Sequence, residues 1–268
     1  MSGWQLTLKA TPALRLDLRG LSQLAGLSAA DVERLPLPYG AGTLALAECF
    51  TVRAGGAEGD LLLEGDLSRS DRIGWGWSVG TLTVQGSAGH YLAAGMTAGR
   101  VEVHGHAGDL AACEMAGGEL HVHGSLGDLV ASHLPGSMDG MRGGLVHVRG
   151  SVGARCADRM RRGLLLVEGD AGDFLASRLV AGTVAVAGRC GAHPGYGMRR
   201  GSLFFTGTAP ELPVTFLPAG GEVPVAWQLL ARDIARHGGP FAGLATRPHT
   251  RWLGDVSVGG KGEVWMVG

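Results

Sequence analysis

The stretch Gly99-Arg100-Val101-Glu102-Val103-His104-Gly105-His106-Ala107-Gly108 sets the frame for most of the chain. It reads as a glycine, five residues that alternate between two faces, a glycine, two residues and a glycine. The frame opens at Gly80, Gly99, Gly118, Gly144, Gly163, Gly182 and Gly201, a step of nineteen residues everywhere except one interval of twenty-six. A looser copy opens at Gly59. A fixed period of about this size marks a stacked repeat, in which each unit buries an apolar face only against its neighbours.

Each copy predicts one short strand. The second and fourth residues after the opening glycine are apolar throughout, from Leu82 and Val84 to Leu203 and Phe205. Period-two alternation puts such a pair on one face of a strand. The return path repeats too: Met96, Met115, Met141, Met160, Leu179 or Met198 stands three residues before each opening glycine, with Trp77 in the first full copy. Ala93, Ala112, Ala131, Ala157, Ala176 or Gly195 stands thirteen after it. Like residues at like positions mean that the copies stack. The expectation is an all-β chain, a right-handed β-helix of about eight coils over residues 59–207. A left-handed hexapeptide helix needs a six-residue beat, and nineteen is not a multiple of six.

Residues 1–58 are read as an N-terminal cap, because an open coil end exposes apolar surface and strand edges. Within it Trp4–Lys9 and Leu14–Leu18 alternate and are expected to form a hairpin across Thr11-Pro12. Ser28 is placed as N-cap of a short helix through Leu35, stopped by Pro36 and Pro38. Residues 208–268 are a C-terminal helix and tail: Val225 to His237 sets Trp227, Leu230 and Ile234 on one face, with Gly238 as C-cap. The long interval holds seven extra residues, Ser132 to Met138, which should emerge as a loop on one side and offer a partner contact.

Composition narrows the function. Charged residues are 18 % of the chain and the formal net charge is -1, a balance that gives no basic stripe for nucleic acid. No apolar run approaches the roughly 20 residues of a membrane span, and no basic stretch with an apolar core opens the chain. Cys49, Cys113, Cys156 and Cys190 form no CxxC pair, so reduced thiols and a cytoplasmic location are expected. Lys9 and Lys261 are the only lysines, an arginine bias typical of GC-rich bacterial coding.

The nineteen-residue glycine frame, the lead-ins Gly95-Met96, Gly140-Met141 and Gly197-Met198, and the closing Gly254-Asp255 with Gly259-Gly260-Lys261-Gly262-Glu263 resemble the C-subunit family of formylmethanofuran dehydrogenase over nearly the whole chain. The repeat alone is also similar to the C-terminal β-helix domain of glutamate synthase large subunits. With its bacterial composition, the chain looks most like the C-subunit of the formyltransferase/hydrolase complex of methylotrophs. That resemblance implies a non-catalytic scaffold in an assembly taking a formyl group from formyl-tetrahydromethanopterin, through a methanofuran-type carrier, to formate. The partners it implies are a zinc-dependent amidohydrolase-like subunit, a formyltransferase and a further structural subunit, with no cofactor bound by this chain. The alternatives are the C-subunit of an archaeal formylmethanofuran dehydrogenase, or a stand-alone β-helix enzyme acting on an acidic polymer.

No nucleophile with its base and no paired carboxylates emerge from the repeats, so no catalytic residue is assigned. His104, His121, His123 and His147 share the outward strand face and offer a metal site as the alternative to a solvated or interface face. Arg142, Arg161, Arg162, Arg199 and Arg200, with Arg155, Arg159 and Arg178 nearby, converge on one edge if the copies stack. Guanidinium groups suit carboxylates. Carriers of the resembled family can bear an oligoglutamate tail, so the edge reads as a tail guide or as a salt-bridged interface with an acidic partner. Leu145, Leu164, Leu166 and Phe204 occupy outward positions and are expected to form an apolar interface patch. Asp109, Asp128 and Asp173 are read as turn formers, and Lys261 lacks the spacing of a phosphate loop.

Overall fold

A computed structural model describes residues 3–220 and 225–268. Met1, Ser2 and residues 221–224, which fall in the cap and tail spans above, lie outside the described residues. The N-terminal segment holds β1 (Trp4–Leu8), β2 (Leu16–Asp17), α1 (Ala29–Glu33), β3 (Pro36–Tyr39), β4 (Gly42–Ala45), α2 (Leu46–Cys49) and β5 (Phe50–Ala54). The repeats give β6 (Leu61–Glu64), β7 (Ser70–Asp71), β8 (Thr81–Gln85), β9 (Arg100–Val103), β10 (Glu119–Val122), β11 (Arg142–Val148), β12 (Arg162–Val167), β13 (Thr183–Val186) and β14 (Ser202–Phe205). The tail holds β15 (Leu217–Ala219), α3 (Val225–Ala235), β16 (His249–Gly254) and β17 (Gly262–Val267).

Among the described residues one sheet of thirteen strands runs in the order β15-β16-β17-β14-β13-β12-β11-β10-β9-β8-β6-β1-β5. From β17 to β1 every neighbour is parallel, and the register matches the repeat. Val101 lies opposite Leu82 and Leu120, and Leu165 lies opposite Val146 and Val184. The inward pairs from β6 to β14 are buried, as is the whole column Met96, Met115, Met141, Met160, Leu179 and Met198. The architecture is thus mostly β, one large, mostly parallel sheet in a β-helix-like stack. Burial of each inward Val or Leu contributes roughly 1.5–3 kcal/mol, which short strands with few other contacts require.

The return path explains the alanine column. Leu110, Ala112 and Glu114 have φ of 64°, 55° and 55°, and the equivalent residues of other copies do the same, as at Phe174, Ala176 and Arg178. Left-handed backbone costs an L-residue about 1–2 kcal/mol. It is held there because successive N–H groups bond to opposite neighbours: Leu110 N–H to Asp128 O, Ala112 N–H back to Leu92 O, Glu114 N–H to Ser132 O. Ala112 sits fully buried between copies, where a larger side chain has no room to go.

The sheet continues past both boundaries of the repeat span. β1 pairs in parallel with β6, setting Trp4 opposite Leu61 and Leu6 opposite Leu63, and antiparallel with β5. The expected hairpin between Trp4–Lys9 and Leu14–Leu18 is therefore not formed. β1 gains a buried apolar column by joining the stack, whereas Leu16 and Asp17 pair in parallel with Ser70 and Asp71 in a separate four-stranded sheet. The short helix starts as read, with the Ser28 side chain accepting from the Asp31 N–H. At the other end β17 pairs in parallel with β14, and β16 folds back antiparallel on β17.

The tail also covers the outer face. Trp227, Ala231 and Ile234 of α3 are buried together with Leu166, Ala185, Phe204, Phe241, Leu244 and Trp265. Leu145 and Leu164 pack at the margin of this second core. The expected interface patch is corrected here: Leu166 and Phe204 have no exposed surface, because the chain's own helix and final strand lie on them.

Candidate functional site

Two groups of polar side chains stand out on the stack. The first lies on the outward face of β9 to β12, where the parallel register places His121 opposite Glu102 on one side and His147 on the other. The rings of His104 and His123 stack with centroids 4.6 Å apart and planes inclined by 29°. His123 Nε2 is 3.0 Å from Glu102 Oε1, and Arg149 Nη1 reaches His123 Nδ1 at 3.3 Å. Glu102, His104 and His123 each offer one ligand atom within 4.8 Å of the others. His121 and His147 do not join them. His121 pairs with Glu119 at 3.0 Å and His147 with Glu168 at 2.8 Å, while the two rings meet edge-on at 5.9 Å. Burial pushes both imidazoles below the usual histidine range, and the adjoining carboxylates only partly oppose it.

Sequence reasoning misses Glu102, because it weighs an acid only where one recurs at a fixed position of the repeat. The signal is present nonetheless: Glu102 is two residues from His104 on the same face, and the nineteen-residue step brings His123 beside both.

The second group is an arginine cleft of about 390 Å³ on the return-path side, lined by Arg159, Arg161, Arg178, Arg199, Tyr196 and Asp255 among others. Of the arginines predicted from sequence, Arg159, Arg161, Arg178 and Arg199 line it. Arg142 and Arg162 lie opposite each other at the start of β11 and β12, and with Arg200 they are exposed outside its lining. Arg161 pairs with Asp139 at 2.6 Å, and Arg178 makes a two-point contact with buried Asp158, one arm at 3.0 Å. Arg199 has no ion pair among the described residues, and the buried Nε of Arg159 has no acceptor. The seven-residue insertion ends at this cleft, with Met138 in its wall.

Asp255 fastens the tail to the cleft floor. Burial would raise its carboxyl, but the Ser257 side chain and the N–H groups of Ser257 and Gly197 donate to it and hold it below the ordinary range. The cleft therefore presents net positive charge with apolar rims, a setting for carboxylate or phosphate groups.

The remaining candidates are structural. Asp109, Asp128 and Asp173 each accept from a backbone N–H of the next copy, of Asp128 at 2.9 Å, Ala154 at 2.8 Å and Ala192 at 2.8 Å. His106 does the same for the Ser125 N–H at 3.0 Å. Burial pushes the Cys113 thiol up to about 12, which makes it a poor nucleophile. No described helix is long and apolar enough to cross a membrane.

The GXGXG-motif family model matches residues 78–216. No curated protein matches the chain. Among solved structures, the chain is similar to one in the crystal structure of the formyltransferase/hydrolase complex (FhcABCD) from Methylorubrum extorquens with methylofuran. The two are 36% identical with a TM-score of 0.91, over 98% of each chain. A likeness that spans caps, stack and tail together leaves no segment to a different architecture, and the chain belongs to the GXGXG-motif family and to the same subunit family as that chain of the formyltransferase/hydrolase complex.

Proposed function

We propose that this chain is the non-catalytic scaffold of that complex, built as a right-handed β-helix of about eight coils. On this reading its partners are an amidohydrolase-like subunit that holds zinc, a formyltransferase and a further structural subunit. Together they move a formyl group from formyl-tetrahydromethanopterin, through a methanofuran-type carrier, to formate. The observation that carries the reading is the full-length likeness to a chain from a complex crystallised with methylofuran. The arginine cleft supports a part in holding the carrier: Arg159 and Arg199 bring donors that the described acidic residues do not satisfy. An oligoglutamate tail supplies carboxylates for such donors.

Two measurements test the reading. The purified chain should be inactive alone and gain formyl-transfer and hydrolysis activity only with its co-purifying partners; activity of the chain alone would overturn the scaffold role. Charge reversal at Arg161 and Arg199 should raise the KM for the carrier while the complex stays assembled. Loss of assembly would support a protein interface at the cleft instead.

A further inference from the structure

We infer that Glu102, His104 and His123 bind one divalent transition-metal ion, with Zn²⁺ the representative case. Two imidazoles and a carboxylate are a ligand set suited to such an ion, which leaves a fourth position for water. The site does not depend on the complex, because all three ligands come from two adjacent copies within this chain.

The geometry favours it in three ways. The stacking register, rather than loop placement, sets His104 beside His123, so the pair is held by the same backbone hydrogen bonds that hold the sheet. Those bonds include His104 N–H to Val84 O and His123 N–H to Val103 O. Glu102 Oε1 and His123 Nε2 already stand 3.0 Å apart, close to the separation of roughly 3.4 Å between two ligands of a tetrahedral zinc. His104 is exposed, so its ring has the freedom to swing in by the remaining ångström or so. His121 and His147, engaged with Glu119 and Glu168, stay outside the set.

The same contacts say what opposes binding. Arg149 is always a donor, so its contact with His123 makes Nδ1 the acceptor and leaves the ring proton on Nε2, facing Glu102. A metal on Nε2 requires that nitrogen to lose its proton and Nδ1 to carry one, which turns the Arg149 contact into a repulsion. Arg149 is exposed and can leave. Arg100, 3.4 Å from Glu102 Oε2, adds a second positive charge nearby. Arg149 thus acts as a competitor for the ion, and removing it should tighten the site.

The test is titration of the untagged full chain with Zn²⁺ by calorimetry, and with Co²⁺ for its visible absorption band. One ion per chain is expected. Affinity should fall by more than about tenfold in His104→Gln and in Glu102→Gln, and rise severalfold in Arg149→Ala. His104→Gln changes an exposed ring and leaves the fold intact, so its result stands by itself. Several equal ions bound in wild type and His104→Gln alike would overturn the site, as would binding lost only in a His121→Gln/His147→Gln double variant.

Discussion

The indole of Trp227 lies over the ring of Phe204, with centroids 5.4 Å apart and planes inclined by 22°. Trp265, the register neighbour of Phe204 on β17, stands 4.6 Å from Trp227 and 6.5 Å from Phe204, so α3 is joined to the stack by an indole packed across two neighbouring aromatic rings of the sheet. Trp227→Ala should cost about 3–5 kcal/mol. It should also expose Leu166 and Phe204, read as a lower denaturation midpoint together with new binding of a hydrophobic dye.

Gly99 has φ of 77°, and a Cβ there would stand 2.7 Å from Gly80 O in the preceding copy. Gly99→Ala therefore meets both a left-handed backbone and a backbone clash. A loss of more than about 1 kcal/mol is expected, against a change of a few tenths for Ser78→Ala on the exposed approach. Urea midpoints of the two variants give the comparison.

Asp158 is 1 % exposed and depends on Arg178, with His133 Nε2 a further 3.6 Å contact. Arg178→Met leaves the carboxylate buried without its bidentate partner. The cost should be about 2 kcal/mol, below the full value for a buried pair because the Arg178 head is 40% exposed. Asp158→Asn in the Arg178→Met background should recover part of it, which a purely steric effect would not allow.

Stability should fall as the solution is acidified from neutrality. His121 and His147 have folded pKa values below the unfolded value of about 6.5. Between the two values the unfolded chain binds more protons, so this contribution is complete above about pH 6.5 and is lost as pH drops toward the folded values. The facing groups are Glu119, Arg100 and Glu102 for His121, and Glu168 and His237 for His147. Glu102 and Glu119, held low first by their histidine hydrogen bonds, add a further loss below about pH 4. Urea midpoints at pH 7.5 and 5.5 should differ in wild type and differ less in His121→Asn/His147→Asn.

The inward columns are legible in the sequence because each copy repeats one physical constraint, and the second and fourth strand positions from Leu82 to Phe205 are all buried. The fate of Leu166 and Phe204 is not legible. Local alternation marks them as outward, and the residues that cover them, Trp227 and Trp265, stand outside the repeat and obey no period. Trp4–Leu8 misleads for a related reason: its alternation fits a hairpin as well as a rung, and only the distant Leu61 and Leu63 decide between them. The arginine edge is half legible. Arg161 and Arg199 follow the repeat into the cleft, but Tyr196 and Asp255 reach it through the return path and the tail.

The pairing direction reverses at both margins of the large sheet: β5 runs against β1 at one margin, and β16 against β17 at the other. A stack of parallel strands left bare would be a template on which a second copy adds its own first rung, and then a third, without limit. At the first margin the reversed β5 presents the wrong polarity for that addition, and at the other the edge passes through β16 to β15, only three residues long and too short to template a rung. The length of the stack is therefore set within the chain, by a reversed strand at one end and a three-residue strand at the other.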